Sequence, residues 1–305
     1  MREGQVRRVW QRVDGVLLLD KADGMSSNAA LQAARRLYSA AKAGHTGTLD
    51  PLATGLLPLC FGEATKFSAD LLDADKTYEA DLLFGVKTDT GDSEGQELER
   101  RAVVFDAAAL QCALAALRGP IRQVPPMYSA LKRDGQPLYK LARQGVEVER
   151  EARDVTIHEL ELLSWQGERC RLRVRCSKGT YIRTLAEDLG EALGCGAHLT
   201  ALRRTAVGDL SLADAHTLAT LEALDAAGRA QALQAPDALL QGVPPVGLGE
   251  AEAARFAHGN PVSVPAGAPL PVGSRCRVYA GTRLLGLGVI DAAGQLCPKR
   301  LVASP

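Results

Sequence analysis

Aromatic side chains are scarce, at 4% of 305 residues, so each tyrosine or tryptophan near a candidate site carries weight. Paired-cysteine motifs are absent. The seven cysteines, at positions 60, 112, 170, 176, 195, 276 and 297, are odd in number and include no Cys-x-x-Cys. That argues against a disulfide framework and against a structural zinc site. The five histidines include no His-x-x-x-His pair. Excess charge of either sign is also missing, since 36 basic residues balance 36 acidic ones. A protein gripping nucleic acid over its whole surface is thereby excluded, but a local basic groove is not. No apolar run reaches the roughly 18 residues of a membrane span. Neither Gly-x-x-x-x-Gly-Lys nor Gly-x-Gly-x-x-Gly occurs, so no ATP, NAD or other cofactor is expected. Residues 1–14 lack the apolar stretch of a secretory signal. With reduced cysteines, this points to the cytoplasm.

What is present supports a sizeable core, with 46% apolar residues. The length predicts one larger domain with a smaller one attached. Gly15-Val-Leu-Leu-Leu-Asp20 reads as a buried strand. Ser26 or Ser27 caps a helix whose apolar side is Leu31, Ala34, Leu37 and Tyr38. Tyr78, Ala80, Leu82 and Phe84 share one face of a strand. Residues 105–117 are helical in pattern. Residues 122–154 form a polar, basic, turn-rich excursion, and loops of that length are often functional. Between 169 and 176 alternation is strict, with Cys170, Leu172, Val174 and Cys176 on one face. Arg169, Arg171, Arg173 and Arg175 stand on the other, as a solvated ladder or, with Lys178, Arg183, Arg203 and Arg204, a phosphate-binding surface. A helix follows with Ile182, Leu185, Leu189 and Leu193 at helical spacing, a Thr184–Glu187 capping box and a Gly194 stop. Residues 213–242 read as helical. Gly242-Val-Pro-Pro245 marks a boundary, dividing residues 1–245 from a small β module at 246–305.

The most informative stretch is Gly44-His-Thr-Gly-Thr-Leu-Asp-Pro-Leu-Ala-Thr-Gly55. Its glycines let the backbone bend and let a ligand approach closely. Asp50 is a nucleophile on this loop or, with Pro51 behind it, the N-cap of a helix. Arg183, at the start of a predicted helix, needs an anionic partner against the positive helix end. Asp50 is one candidate, and an exposed arginine the alternative. Tyr78 is a core tyrosine or a ring stacked on a base.

These segments together resemble the TruB family of tRNA pseudouridine synthases over nearly the whole chain. Gly15 to Lys21 with Gly24-Met-Ser-Ser-Asn28 matches a first motif, and residues 44–55 match the catalytic motif. Gly62-Glu-Ala-Thr-Lys66, Lys76-Thr-Tyr78 and Thr88-Asp-Thr90 follow in order. Pro126-Met-Tyr-Ser-Ala-Leu-Lys132 resembles the substrate-loop signature. Ser177-Lys-Gly-Thr-Tyr-Ile-Arg183 and residues 199–204 complete the set. One departure is Ala22, where the family carries Pro after the motif lysine; a proline would stiffen that turn.

The resemblance implies an α+β fold. A catalytic domain has a central mixed sheet, flanking helices and an RNA-clamping insertion at about 122–154. A β-barrel-like PUA-like domain follows at 246–305. It implies isomerisation of uridine to pseudouridine at position 55 in the TΨC arm of tRNA. Asp50 acts as nucleophile on a flipped-out uridine, Arg183 holds it ionised, and Tyr78 stacks on the base. His45, Lys21, Thr48, Tyr181, Leu202, Lys66 and Lys132 are implied substrate-binding residues. No metal and no cofactor are implied. The partner is tRNA, through its T-arm and acceptor end, with no membrane, and a monomer is expected. An RNA-folding role coexists with catalysis or, in a rival reading, replaces it. A glycosidase needs two carboxylates about one bond, and only Asp50 is well placed in the sequence.

Overall fold

The computed structural model describes residues 9–129, 131–133, 135–264 and 270–303. Residues 1–8 of the basic lead, positions 130 and 134 of the insertion, and 265–269 and 304–305 of the C-terminal module lie outside them. Strand β1 (Gly15–Lys21) leads into helix α1 (Ser27–Leu37), whose N-cap Ser26 accepts from the Ala29 amide. Strands β2 (Ala43–His45) and β3 (Thr54–Phe61) follow, then helix α2 (Ser68–Leu72) and strand β4 (Lys76–Phe84). Helix α3 (Ala107–Ala116) precedes strand β5 (Gly119–Gln123). After the insertion come β6 (Arg153–Gln166), β7 (Arg169–Cys176), helix α4 (Ile182–Ala192) and β8 (Ala197–Val207).

These strands form one ten-stranded sheet whose main path runs from Leu233–Gln234 through β1, β3, β8, β4, β7 and β6 to β5. It is mixed because β3 and β8 run parallel through Arg203↔Thr54 and Arg204↔Gly55, whereas β8 and β4 run antiparallel. The α+β fold class is as expected from the sequence. Leu17, Leu19, Leu57 and Leu59 face one core, with α1 and α4; Val16, Leu18, Leu56 and Cys60 face a second. A sheet buried on both sides explains the unbroken apolar run in β1.

The second core includes Leu287, which belongs to a five-stranded C-terminal sheet. Its strands are Pro245–Leu248, Arg275–Ala280, Arg283–Ile290, Gln295–Leu301 and Val262–Ser263 in spatial order, packed by helix Glu250–Ala257. Among the described residues no helix is long and apolar enough to cross a membrane.

Three expectations are corrected, and the choice between two readings of a fourth is narrowed. No helix starts at Asp50: residues 49–53 form a turn closed by the Ala53 amide on the Asp50 carbonyl, and Thr54 enters β3, whose pairing decides the backbone there. The N-cap of α4 is Tyr181, with no side-chain cap bond, so Thr184 and Glu187 form no capping box; the Thr184 hydroxyl is buried without a partner. Residues 213–242 hold short helices, Leu218–Ala223 and Ala226–Gln231, single-turn segments and the edge strand Leu233–Gln234 instead of a long helical run. The arginines of β7 do face outward, but Arg171, Arg173 and Arg175 are not bare. Arg171 pairs with Glu79, Arg173 with Glu161, and Arg175 with Glu159 and Asp75, all from flanking segments. Lys178 pairs with Asp73 and Arg203 with Asp20. Most of the supposed phosphate surface is already neutralised by protein carboxylates.

Candidate active site

The loop between β2 and β3 is held from outside itself. Ser27 Oγ donates to the Leu49 carbonyl (2.9 Å) and accepts from the Leu49 amide (2.7 Å). Lys21 Nζ, at the end of β1, donates to the carbonyls of Ala22 (2.9 Å), Met25 (2.5 Å) and Pro51 (3.1 Å). Gly55 adopts φ +95°, and a Cβ there would strike the backbone of Arg204 on β8. That glycine permits the close approach of β3 and β8 beside the loop.

Asp50 stands at the end of this clamp. Arg183, the second residue of α4, is nearly inaccessible and reaches Asp50 Oδ2 at 2.9 Å; the Asp50 side chain stays 42% exposed. Arg183 also donates to the carbonyls of Thr90 (2.9 Å) and Tyr128 (2.7 Å) and lies 3.6 Å from Asp92. A cation at a helix start is thus countered by two carboxylates. Burial pushes the Asp50 carboxyl above its ordinary value, the Arg183 charge and hydrogen bond pull it down, and the Asp92 charge pushes it up.

Beside Asp50 opens a cavity of about 260 Å³ whose walls include Thr48, Tyr78, Tyr181, Arg183, Leu202 and Arg204. Tyr78 and Leu202 come from the inward faces of β4 and β8. The Tyr181 backbone is fixed by buried Gln123, which accepts from its amide (3.0 Å). His45 lines a second cavity, about 530 Å³, that shares Asp50, Thr48 and Arg183 with the first. Its Nδ1 is buried without a partner, and burial, then the Arg204 charge, keep the ring below its ordinary pKa.

The structure thus brings Asp50, Arg183, Tyr78, Thr48, Tyr181 and Leu202 together, with His45 across Asp50 and Lys21 beneath the loop. It does not bring Lys66 or Lys132 there. Lys66 binds Glu63 (2.6 Å) and the Leu301 carbonyl (2.8 Å) at the seam with the C-terminal sheet. Lys132 stands exposed on a two-residue strand of the insertion, in a cleft with Arg150 and Arg153.

Three residues escaped the sequence reading. Asp92 is buried and takes the Thr90 hydroxyl (2.6 Å) and the Glu94 amide (3.1 Å) on Oδ1. Glu94 lines the second cavity, so Asp50 is not the only carboxylate here. Arg204, expected on the surface, is fully buried. Its signal was the doublet Arg203-Arg204 in an alternating strand, which must send one arginine inward.

Three family models match consecutive stretches of the chain. They are the N-terminal domain of TruB family pseudouridylate synthase (residues 35–182), the C-terminal domain of tRNA pseudouridylate synthase B (183–245), and the C-terminal domain of pseudouridine synthase II TruB (244–302). The tRNA pseudouridine synthase B of Dechloromonas aromatica (strain RCB) is 62% identical over 298 residues, 98% of each chain. That of Aromatoleum aromaticum is 57% identical over 300 residues, 98% of this chain and 96% of its own. A solved Cbf5–Nop10–Gar1 complex contains a chain that superposes with TM-score 0.69 at 26% identity, over 91% of this chain and 78% of that one. An H/ACA RNP bound to a substrate RNA containing 2′-deoxyuridine shares the fold, with TM-score 0.71 at 23% identity over 95% of this chain and 85% of that one. With identity this high over nearly the full length, the chain belongs to the TruB family of pseudouridylate synthases.

Proposed function

We propose that this protein isomerises uridine to pseudouridine in tRNA, at position 55 of the TΨC arm, with Asp50 as the nucleophile. The observation that carries the reading is the Asp50–Arg183 pair beside a cavity walled by Tyr78. Only an ionised carboxylate attacks, and a buried guanidinium at 2.9 Å favours the ionised form while leaving part of Asp50 open to the cavity. The base leaves through N1, turns within the cavity and rejoins the ribose through C5, which loses its proton while N1 takes one up. Asp50 bonds to C1′ in the interval, or takes the C2′ proton in a glycal route. The Tyr78 ring stacks on the base, and His45 and Thr48 help hold the extruded nucleotide. A base inside a folded T-loop is out of reach of any side chain, so flipping precedes chemistry. A groove beside the C-terminal sheet carries Lys299 and Arg300, which suit the acceptor end of the same RNA, while Arg275 there is paired with Asp70. The protein works as a cytoplasmic monomer.

Pseudouridine mapping in unmodified tRNA and in an isolated T-arm stem-loop tests the proposal. Wild-type protein modifies one uridine in both, and Asp50→Asn modifies none while still binding. Turnover by Asp50→Asn, or modification outside the T-arm, overturns it.

A further inference from the structure

Three cations near Asp50 lie buried against carbonyls instead of carboxylates. Lys21 is held as described, and Lys76 donates to the carbonyls of Leu72 (2.7 Å) and Ala74 (2.5 Å). Both amines can shed their charge, and burial pushes both down, Lys76 to about 8. Arg204 cannot, because a guanidinium stays protonated in proteins. Its Nε donates to the Leu56 carbonyl on β3 (2.7 Å) and one terminal nitrogen to the Gly47 carbonyl of the catalytic loop (3.1 Å). Among the described residues no carboxylate pairs with it, in contrast to Arg183 and Arg203. Burying a permanent, unpaired charge is costly, so a fold that does so has a use for it.

Its surroundings indicate the use. Arg204 stands directly across from Tyr78 in the β8–β4 ladder, and a register shift follows immediately, before the Ala206–Thr77 pair. Bulges of this kind re-aim side chains beside sites. Tyr78, Asp50 and Arg204 line one cavity, and Arg204 is the cation acting most strongly on the Tyr78 phenol. The same wall carries Arg183, which is paired with carboxylates, and Lys76, which can shed its charge, so Arg204 is its permanent unpaired cation.

Building on the proposed reaction, we infer that Arg204 is a positioning residue: it fixes Tyr78 against the base and supplies the uncompensated positive charge that the departing base requires. When the N1–C1′ bond breaks, its electron pair leaves with N1, and the base becomes an anion spread over N1, O2 and O4. The ribose C1′ is taken by an Asp50 oxygen, or the C2′ proton passes to Asp50. Arg204 gives and takes no atom. A fixed charge aimed where charge develops needs no reorganisation during the reaction.

The test is single-turnover pseudouridine formation in a T-arm stem-loop by wild type, Arg204→Lys, Tyr78→Phe and the double variant, with RNA Kd and thermal unfolding measured for each. The expected result is a rate at least about tenfold lower for Arg204→Lys, an unchanged Kd, and a double variant little slower than Tyr78→Phe alone, because coupled residues do not add. Factors that multiply, an unchanged rate, or a loss confined to Kd overturns the inference. Should Arg204→Lys not fold, Tyr78→Phe decides: it leaves the ring but no oxygen for Arg204. An unchanged rate overturns the inference, and a tenfold drop at constant Kd supports it. The wild-type rate reports on the functional reading and the variant ratios on Arg204, so the two failures are distinguishable.

Discussion

Arg183 and the arginines of β7 lie a few residues apart in the chain and on opposite sides of one sheet. Arg171, Arg173 and Arg175 are each nearly half exposed and face carboxylates from neighbouring segments across open solvent. Arg183 is 5% exposed and holds the partly open Asp50, with the buried Asp92 nearby. Water and salt screen the first set, so each pair contributes about 0–1 kcal/mol. Removing Arg183 strands the buried Asp92 carboxylate, at about 3–5 kcal/mol. The same residue type is surface upholstery on one face and machinery on the other. What separates them is burial, and whether the facing carboxylate is free to react.

The sharpest way to break this contrast is at Asp50. Asp50→Asn is expected to lower the single-turnover rate by at least about a thousandfold, with RNA affinity within a few-fold of wild type; quench-flow and filter binding read the two. Next comes Arg183→Met, which leaves Asp50 and Asp92 facing each other without their shared cation. Urea unfolding should show a loss of about 3–5 kcal/mol, and a loss below 1 would move Arg183 into the ladder's class. A third test uses pH. Burial raises the Asp50 carboxyl above its ordinary value. In the proposed reaction the ionised form is the one that attacks, so activity falls on acidification through that raised value, above the about 3.9 of a free aspartate. The single-turnover rate should drop up to tenfold per pH unit below it, and a rate flat down to pH 4 contradicts this. The smallest effect belongs to the ladder. Arg171→Ala and Arg173→Ala should each change stability by about 0–1 kcal/mol and leave the salt dependence of RNA binding unaltered. A slope reduced by about one per arginine would return the ladder to phosphate binding.

Much of this was legible from residues alone. The period-two alternation at 76–84 and 169–176 marks strands whatever surrounds them, and the C-terminal strands announce themselves between glycines and prolines. The loop carrying Asp50 is legible because three glycines around one carboxylate exceed what a cap needs. Asp50-Pro51 misleads because the same dipeptide serves turns and helix starts, and only the pairing of Thr54 onward with β1 and β8 decides between them. The ladder misleads differently. A run of arginines shows its charge, but Glu79, Glu159 and Glu161 oppose it only once three strands are in register. Asp92 and Arg204 stay hidden for the same reason, since their importance lies in what packs against them.

The position of β8 between β3 and β4 also has a consequence in time. Arg204 meets Leu56 across 148 residues of chain, and Arg183 likewise follows Asp50 by more than a hundred. During synthesis at about 5–20 residues per second, the loop carrying Asp50 emerges roughly 7–30 seconds before its partners. Until β8 arrives, β3 and β4 have no shared neighbour, and a nascent N-terminal half has neither the cavity nor the cation that charges its carboxylate. The carboxylate therefore gains its cation and its cavity only when the middle of the sheet is filled.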